Sequence, residues 1–358
     1  MNRRKNTRLS FEGQHFFIGI EVHKSKYVIT IRCNQVELKK YVMDPNPVQL
    51  AKYMNKNYPE GTYHSVYEAG FCGFSLHEKL TELGFDSMVA NPADIPTTQK
   101  EKVNKNDTVD SRKLSREREN GSLTSIYIPD EYHRGMRGLS RLRKKTMGHI
   151  VRIKNRTTSH LYFNGIRLSL EEECSTWSKK YIAHLMTLEL DGKGAKDYLK
   201  FCLQALASEQ ILLSQIVLQT LTHLRNDGKD KIIELLRTVP GIGITSAVVL
   251  YLELMDINRF PHVDNLCSFF GLIPSTADSG EKKVSKGITP RRNRFLRHII
   301  IEAAWIAIRK DPALLLYFNK CTLRMKKQNA IIKVAKKLVS RIRYVWKNES
   351  PYVYGLVG

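Results

Sequence analysis

The order of apolar runs between residues 15 and 125 restricts this chain more than any other feature. Phe16 to Ile20, Tyr27 to Arg32 and Val36 to Met43 are short and rich in β-branched or aromatic residues, and the polar turn His23-Lys24-Ser25-Lys26 joins the first two. Such runs predict three consecutive strands. A helix is expected over Pro47 to Asn55, a strand over Tyr63 to Tyr67, a helix over Ser75 to Leu83 and a strand over Asp86 to Ala90. A three-strand meander that gives way to strands alternating with helices predicts a mixed sheet covered by helices.

Acidic residues stand at the ends of two of these runs: Glu21 after Phe16-Phe17-Ile18-Gly19-Ile20, and Glu68 after Ser65-Val66-Tyr67. A carboxylate at a strand end must face a cleft or be neutralised. Downstream, Lys105-Asn106-Asp107-Thr108-Val109-Asp110-Ser111-Arg112 opens a helical pattern. Its two aspartates, three residues apart, share one face of the first turn. Capping alone accounts for Asp at a helix start. With Glu21 and Glu68 added, the set points to a hard divalent cation held by oxygen ligands. The order of elements is that expected of a ribonuclease-H-like fold, whose first strand and a later strand bring acidic residues to the open end of the sheet.

The charge balance narrows the chemistry. With 58 Lys and Arg against 35 Asp and Glu, the formal charge is +23. Such an excess is a footprint for nucleic acid, or less often for an anionic membrane. Four carboxylates on so basic a chain point to metal-assisted chemistry on a phosphate backbone. No uninterrupted apolar run approaches membrane-spanning length, and Met1 to Ser10 is polar and basic, so a cytoplasmic protein without a membrane segment is expected. The six cysteines are scattered without a CxxC pair and read as reduced thiols. A chain of 358 residues exceeds one typical core. Three domains are expected, at 1–128, 129–228 and 229–358.

In the middle segment, Met136, Leu139, Leu142, Thr146, Ile150, Ile153, Thr157 and Leu161 form a narrow apolar stripe at helical spacing. Residues 132 to 168 hold ten Arg and Lys and no acid. A second helix is expected over Tyr198 to Leu224, with Leu203, Leu206, Ile211, Leu212, Val217 and Leu221 on its apolar side. The pair reads either as a hairpin packed on its own chain or as a dimerising coiled coil, and the uncompensated charge favours a helix that grips nucleic acid through Arg141, Arg143, Lys144, Lys145 and Arg152. Further on, Leu236 to Ala247 has the form of a helix-hairpin-helix, in which Gly241 and Gly243 open backbone N–H groups to a phosphate. A small polar loop containing Ser279 is expected between two helical segments. After it, residues 281 to 347 hold nineteen Lys and Arg against three acids. Without a basic partner, a serine there needs outside help to act as a nucleophile.

Taken together, these motifs resemble the insertion sequence 110 family of transposases, the DEDD-type recombinases guided by a bridge RNA. Gly19-Ile20-Glu21-Val22-His23-Lys24, Tyr67-Glu68-Ala69, Asn91-Pro92 and Lys105 to Arg112 resemble the family's RuvC-like domain. Val239 to Gly243, Phe260, Phe270-Gly271-Leu272-Ile273-Pro274, Ser279-Gly280, Gly287-Ile288-Thr289 and Asn293 to Arg297 resemble its C-terminal transposase domain.

The resemblance implies that Glu21, Glu68, Asp107 and Asp110 bind Mg²⁺ or Mn²⁺ and that Ser279 forms a phosphoserine link to DNA. It implies donor and target DNA and a noncoding bridge RNA as partners, a homo-oligomer with composite sites, and a bacterial, nucleoid-associated protein. It also directs nucleic-acid contacts to Lys105, Arg112, Lys282, Lys283, Arg291, Arg292 and Arg297. Two positions depart from the pattern: Glu21 stands where the family normally has Asp, and Arg292 where it usually has Gly. Ser275 is a rival nucleophile that lacks the following glycine. Two other classes stay open, a metal-only nuclease or junction resolvase and a non-catalytic nucleic-acid-binding protein.

Overall fold

The computed structural model describes residues 9–103, 106–167, 177–279, 282–288 and 293–355, with the side chains of 100, 102 and 274–288 left aside. The chain forms two compact units, Met1–Ile128 and Pro129–Gly358.

The first unit is built on β1 (His15–Val22), β2 (Tyr27–Cys33), β3 (Val36–Met43), β4 (Thr62–Glu68) and β5 (Asp86–Ala90), in the sheet order β3-β2-β1-β4-β5. The meander β1-β2-β3 is antiparallel, whereas β4 and β5 join it in parallel. The mixed sheet expected from the apolar runs is therefore present. One face carries Phe16, Ile18, Ile20, Ile29 and Ile31, packed with Leu50 and Met54 of α1 (Pro47–Asn57) and Leu76 and Leu80 of α2 (Ser75–Glu82). Each of these side chains contributes roughly 1.5–3 kcal/mol on burial. A short helix, α3 (Gln99–Val103), precedes α4 (Asp107–Glu119).

The opposite face of the sheet receives α4, and small residues let it come close. A Cβ on Gly19 would stand 2.0 Å from the Ser111 carbonyl oxygen and 2.5 Å from the Ser115 nitrogen. Beside it, the buried Thr30 and Ser111 hydroxyls share a 2.8 Å hydrogen bond, and Leu114 packs against Val66 and Ala90. Thr30 and Val66 are the register partners of Gly19 on the two neighbouring strands. Strand side chains alternate between faces, so Glu21 and Glu68, two residues beyond Gly19 and Val66, lie on this same α4 face.

The described second unit is helical apart from one hairpin. It comprises α5 (Glu131–Phe163), α6 (Lys179–Thr187), α7 (Lys193–Asn226), α8 (Asp230–Arg237), α9 (Ile244–Leu254), α10 (Val263–Phe270), β6 (Pro274–Ser279), β7 (Lys282–Ile288), α11 (Arg294–Lys310), α12 (Pro312–Thr322) and α13 (Lys327–Lys347). Helix α9 is buried throughout Ala247–Leu254 and lies in a core shared with α8, α10, α11 and α13. Helices α5 and α7 pack along each other through Ile150, Ile153 and Leu206, then through Leu161, Leu199 and Leu203 with Leu185 of α6.

Two expectations need correction here. On α7 the buried side is Leu199, Cys202, Leu203, Leu206, Ile216, Thr220 and Leu224, while Ile211 and Leu212 are exposed. That helix is apolar on more than one side, so periodicity alone does not say which stripe α5 covers. By length and composition alone α7 is also apolar enough to cross a membrane, although its apolar run is broken by Gln210, Ser214 and Gln215 and part of it is packed on α5. Finally, the segment expected as a loop around Ser279 is an antiparallel hairpin in which Ser279 ends β6 opposite Lys282.

Candidate active site

Three elements deliver the four carboxylates to one place. Register pairs Ile20 of β1 with Tyr67 of β4, so Glu21 and Glu68 leave neighbouring parallel strands side by side. Helix α4 starts beside them. Its N-cap is Asn106, whose side chain accepts a 2.9 Å hydrogen bond from the Val109 N–H. Capping thus falls to Asn106, leaving Asp107 and Asp110 in the first turn with their carboxylates available for other work. Both also favour the positive end of the helix.

Electrostatics shows how closely the four interact. The Glu21 carboxyl is pushed up to about 7, first by burial and then by the negative charges of Glu68, Asp110 and Asp107, with Lys113 only partly offsetting them. Asp107 is held below the usual carboxylate range, chiefly by the hydrogen bond from Lys26, whose Nζ lies 2.9 Å from Oδ2; His23 Nε2 lies 3.0 Å from the same oxygen. The Lys113 ammonium sits 2.9 Å from Asp110 Oδ1 and 3.7 Å from Glu68 Oε1. Asp110 and Lys113 are both buried.

Among the described residues, no three His, Cys, Asp or Glu side chains converge tightly enough to hold a metal as they stand. Ammonium groups instead hold Asp107, Asp110 and Glu68. The donor chemistry nevertheless suits a hard divalent cation. All four groups are oxygen ligands, Lys113 only partly offsets the acidic charge around Glu21, and Asp107 opens the site to solvent.

Several of the expected nucleic-acid contacts are already engaged within the chain, and others face solvent. Arg112 is tied to Glu37 of β3, Nε to Oε2 at 2.6 Å. Arg141 makes a two-pronged pair with Glu253, Nε to Oε1 at 2.8 Å and Nη2 to Oε2 at 3.0 Å, and Glu253 is only 2% exposed. Arg137 Nε, 3.8 Å away, and Asn293 Nδ2, 3.1 Å away, complete its shell. Burial would raise the Glu253 carboxyl, but the Arg141 hydrogen bonds and charge hold it down. Lys144 lies over the Phe295 ring, 4.2 Å from its centre, and Arg143 is partly buried on α5. Lys145 and Arg152 face solvent. Arg297 is half-buried in the first turn of α11.

The two glycines of the α8–α9 turn part company. Gly241 has φ +85°, and a Cβ there would meet the Ala303 carbonyl oxygen of α11 at 2.3 Å, so this glycine serves close packing within the chain. Gly243 caps α9 with open space around it. Ser279 and Lys282 are register partners at the tip of the β6–β7 hairpin, with Lys283 next to Lys282. Lys105, Arg291 and Arg292 lie outside the described residues.

Two groups escaped the sequence reading. Lys113 follows Asp110 at helical i,i+3 spacing, a signal present in the sequence but hidden among many other lysines. Glu253 had none, since an acid within the apolar run of α9 reveals its arginine partners only once α5 is packed.

Comparisons with known proteins bear on the second unit above all. Residues 233–319, which include Ser279, match the family model described as Transposase IS116/IS110/IS902 family. A Sinorhizobium fredii protein provisionally named transposase y4qE is 25% identical over 67% of this chain. The chain spans 57% of that relative's length. The transposase for insertion sequence element IS1111A of Coxiella burnetii is 24% identical over 66% of this chain and 64% of its own. The transposase for insertion sequence element IS1533 of Leptospira borgpetersenii is 24% identical over 81% and 84%.

Proposed function

The chain belongs to the IS110 family of transposases, and from that premise we propose that it cleaves and rejoins DNA through Ser279, with Mg²⁺ or Mn²⁺ held by Glu21, Glu68, Asp107 and Asp110. The observation that carries this reading is the gathering of four carboxylates on the α4 face of the sheet, where burial, and then the charges of the other three, push Glu21 up. In the proposed step the Ser279 oxygen bonds to a DNA phosphorus as the bond to the leaving deoxyribose oxygen breaks. The serine proton is given up and the leaving oxygen takes one. The reverse attack by a hydroxyl end of a second DNA releases Ser279 and seals the strand. A bound divalent cation would offset charge on the scissile phosphate and the leaving oxygen. The energy of the phosphodiester stays in the phosphoserine link, so no nucleotide cofactor enters.

The remaining assignments follow from the same reading. The sheet order β3-β2-β1-β4-β5 is taken as RuvC-like, of the ribonuclease-H kind, and the α8–α9 turn as a helix-hairpin-helix that offers the amides after Gly243 to a phosphate. Lys145 and Arg152, exposed on α5, suit backbone contacts, whereas Arg112 and Arg141 already serve the fold. Sequence recognition belongs to pairing between a bridge RNA and both donor and target DNA, with the protein reading backbone and shape. The outer side of α7, with Phe201, Ile211 and Leu218 exposed, suits a homo-oligomer of composite sites. The setting is the bacterial cytoplasm, at the nucleoid.

The test is a denaturing gel for protein attached to labelled DNA, with Mg²⁺, the element's transcript and its DNA ends. The wild type is expected to give an adduct that Ser279→Ala loses. Metal-dependent cleavage with no adduct in either protein would replace this reading with a nuclease, and binding without cleavage would leave a nucleic-acid-binding protein.

A further inference from the structure

The chain places a cation of its own, Lys113, among the carboxylates. Lys113 is 6% exposed, and an ammonium is rarely taken out of water unless opposite charge surrounds it. Its Nζ reaches both Asp110, one helical turn earlier on α4, and Glu68 at the end of β4. A lysine serving only to anchor α4 to the sheet needs a single partner at the rim, as Arg112 has in Glu37. Lys113 instead bridges two of the carboxylates assigned to the metal.

We propose that Lys113 is a tethered counter-ion that holds the acidic site together without metal and must leave Asp110 and Glu68 for a divalent cation to bind. The proposal rests on the reading of those residues as metal ligands. Exchange of one positive charge for two gives the carboxylates more compensation than Lys113, which only partly offsets their charge at Glu21, provides. The flexible lysine stem lets the ammonium change partners, a movement that a rigid guanidinium fork makes less readily. The metal's affinity is therefore set low by an internal competitor, and Lys113 acts as a positioning residue.

The experiment is calorimetric titration of the full-length protein with Mn²⁺, paired with thermal melts in EDTA and in Mn²⁺. Lys113→Gln removes the charge while retaining a polar chain, and Lys113→Arg retains the charge. Lys113→Gln is expected to bind Mn²⁺ about ten-fold more tightly than the wild type, to melt lower in EDTA, and to gain more from Mn²⁺. Lys113→Arg is expected to bind Mn²⁺ no more tightly than the wild type. If Lys113→Gln is unfolded in EDTA, its refolding on addition of Mn²⁺ carries the same conclusion. Wild-type binding of Mn²⁺ with equal or weaker binding by Lys113→Gln overturns the counter-ion and leaves the metal ligands standing. No Mn²⁺ binding by either protein overturns both.

Discussion

Single residues carry much of the load in the first unit, and Gly19 is the clearest case. The Ser111 carbonyl stands 2.0 Å from where its Cβ would be, and backbone on both sides leaves no flexible atom to give way. Gly19→Ala is expected to push α4 off the sheet, cost at least about 2 kcal/mol and spread the carboxylates apart. Urea unfolding at equal protein concentration measures it, and an unchanged midpoint would show that α4 has room. In the second unit, Glu253 is 2% exposed and its loss would leave Arg141 and Arg137 short of their partner. Removing one member of a buried pair costs about 3–5 kcal/mol because a charge is left uncompensated. Half of Arg141 reaches solvent, so the lower end is expected for Glu253→Ala, with Arg141→Met less damaging than Glu253→Ala in the same melt.

At the scale of elements, the question is what fixes α4 in place. Besides Gly19, the answer is a ring of ion pairs: Arg112 to Glu37 of β3, and Arg116 to Glu101 of α3 at 2.9 Å. Burial would raise the Glu101 carboxyl, but hydrogen bonds from Arg116 and Thr98 outweigh it and hold the group at about 2. With an ordinary value near 4.5 in the unfolded chain, the unfolded state binds the extra proton between those two values. The stability Glu101 contributes is therefore fully present above about pH 4.5 and lost as pH falls towards 2. Glu101→Gln is expected to remove on the order of 2 kcal/mol at neutral pH and to flatten that part of the acid limb. Parallel pH profiles for the two proteins would refute the tie between α3 and α4.

For the whole molecule, the two units divide the work assigned to them. The acidic cluster lies in the first and Ser279 in the second, and the proposed oligomer lets sites assemble from more than one copy. The exposed apolar side of α7 is the feature that ties this to an observable. Glutamate at both Ile211 and Leu218, which are exposed and support little of the chain's own core, is expected to leave the melting temperature within a few degrees while shifting sedimentation to a smaller species. An unchanged sedimentation coefficient would remove α7 as the joining surface.

Local chemistry determined the strand and helix order of the first unit, because short β-branched runs and turn residues encode strands without help from distant parts of the chain. It also picked out Glu21, Glu68, Asp107 and Asp110, since acids at strand ends and at a helix start are conspicuous on a basic chain. Packing decided the rest. Periodicity could not choose which apolar side of α7 faces α5, because burial depends on the partner helix and not on the stripe alone. Nor could it show that Gly241 is held by Ala303, that Arg112 and Arg141 are already paired, or that Lys113 rather than empty space lies between Asp110 and Glu68. Those facts are long-range contacts between segments that sequence spacing leaves apart, and only the folded chain brings them within a few ångströms.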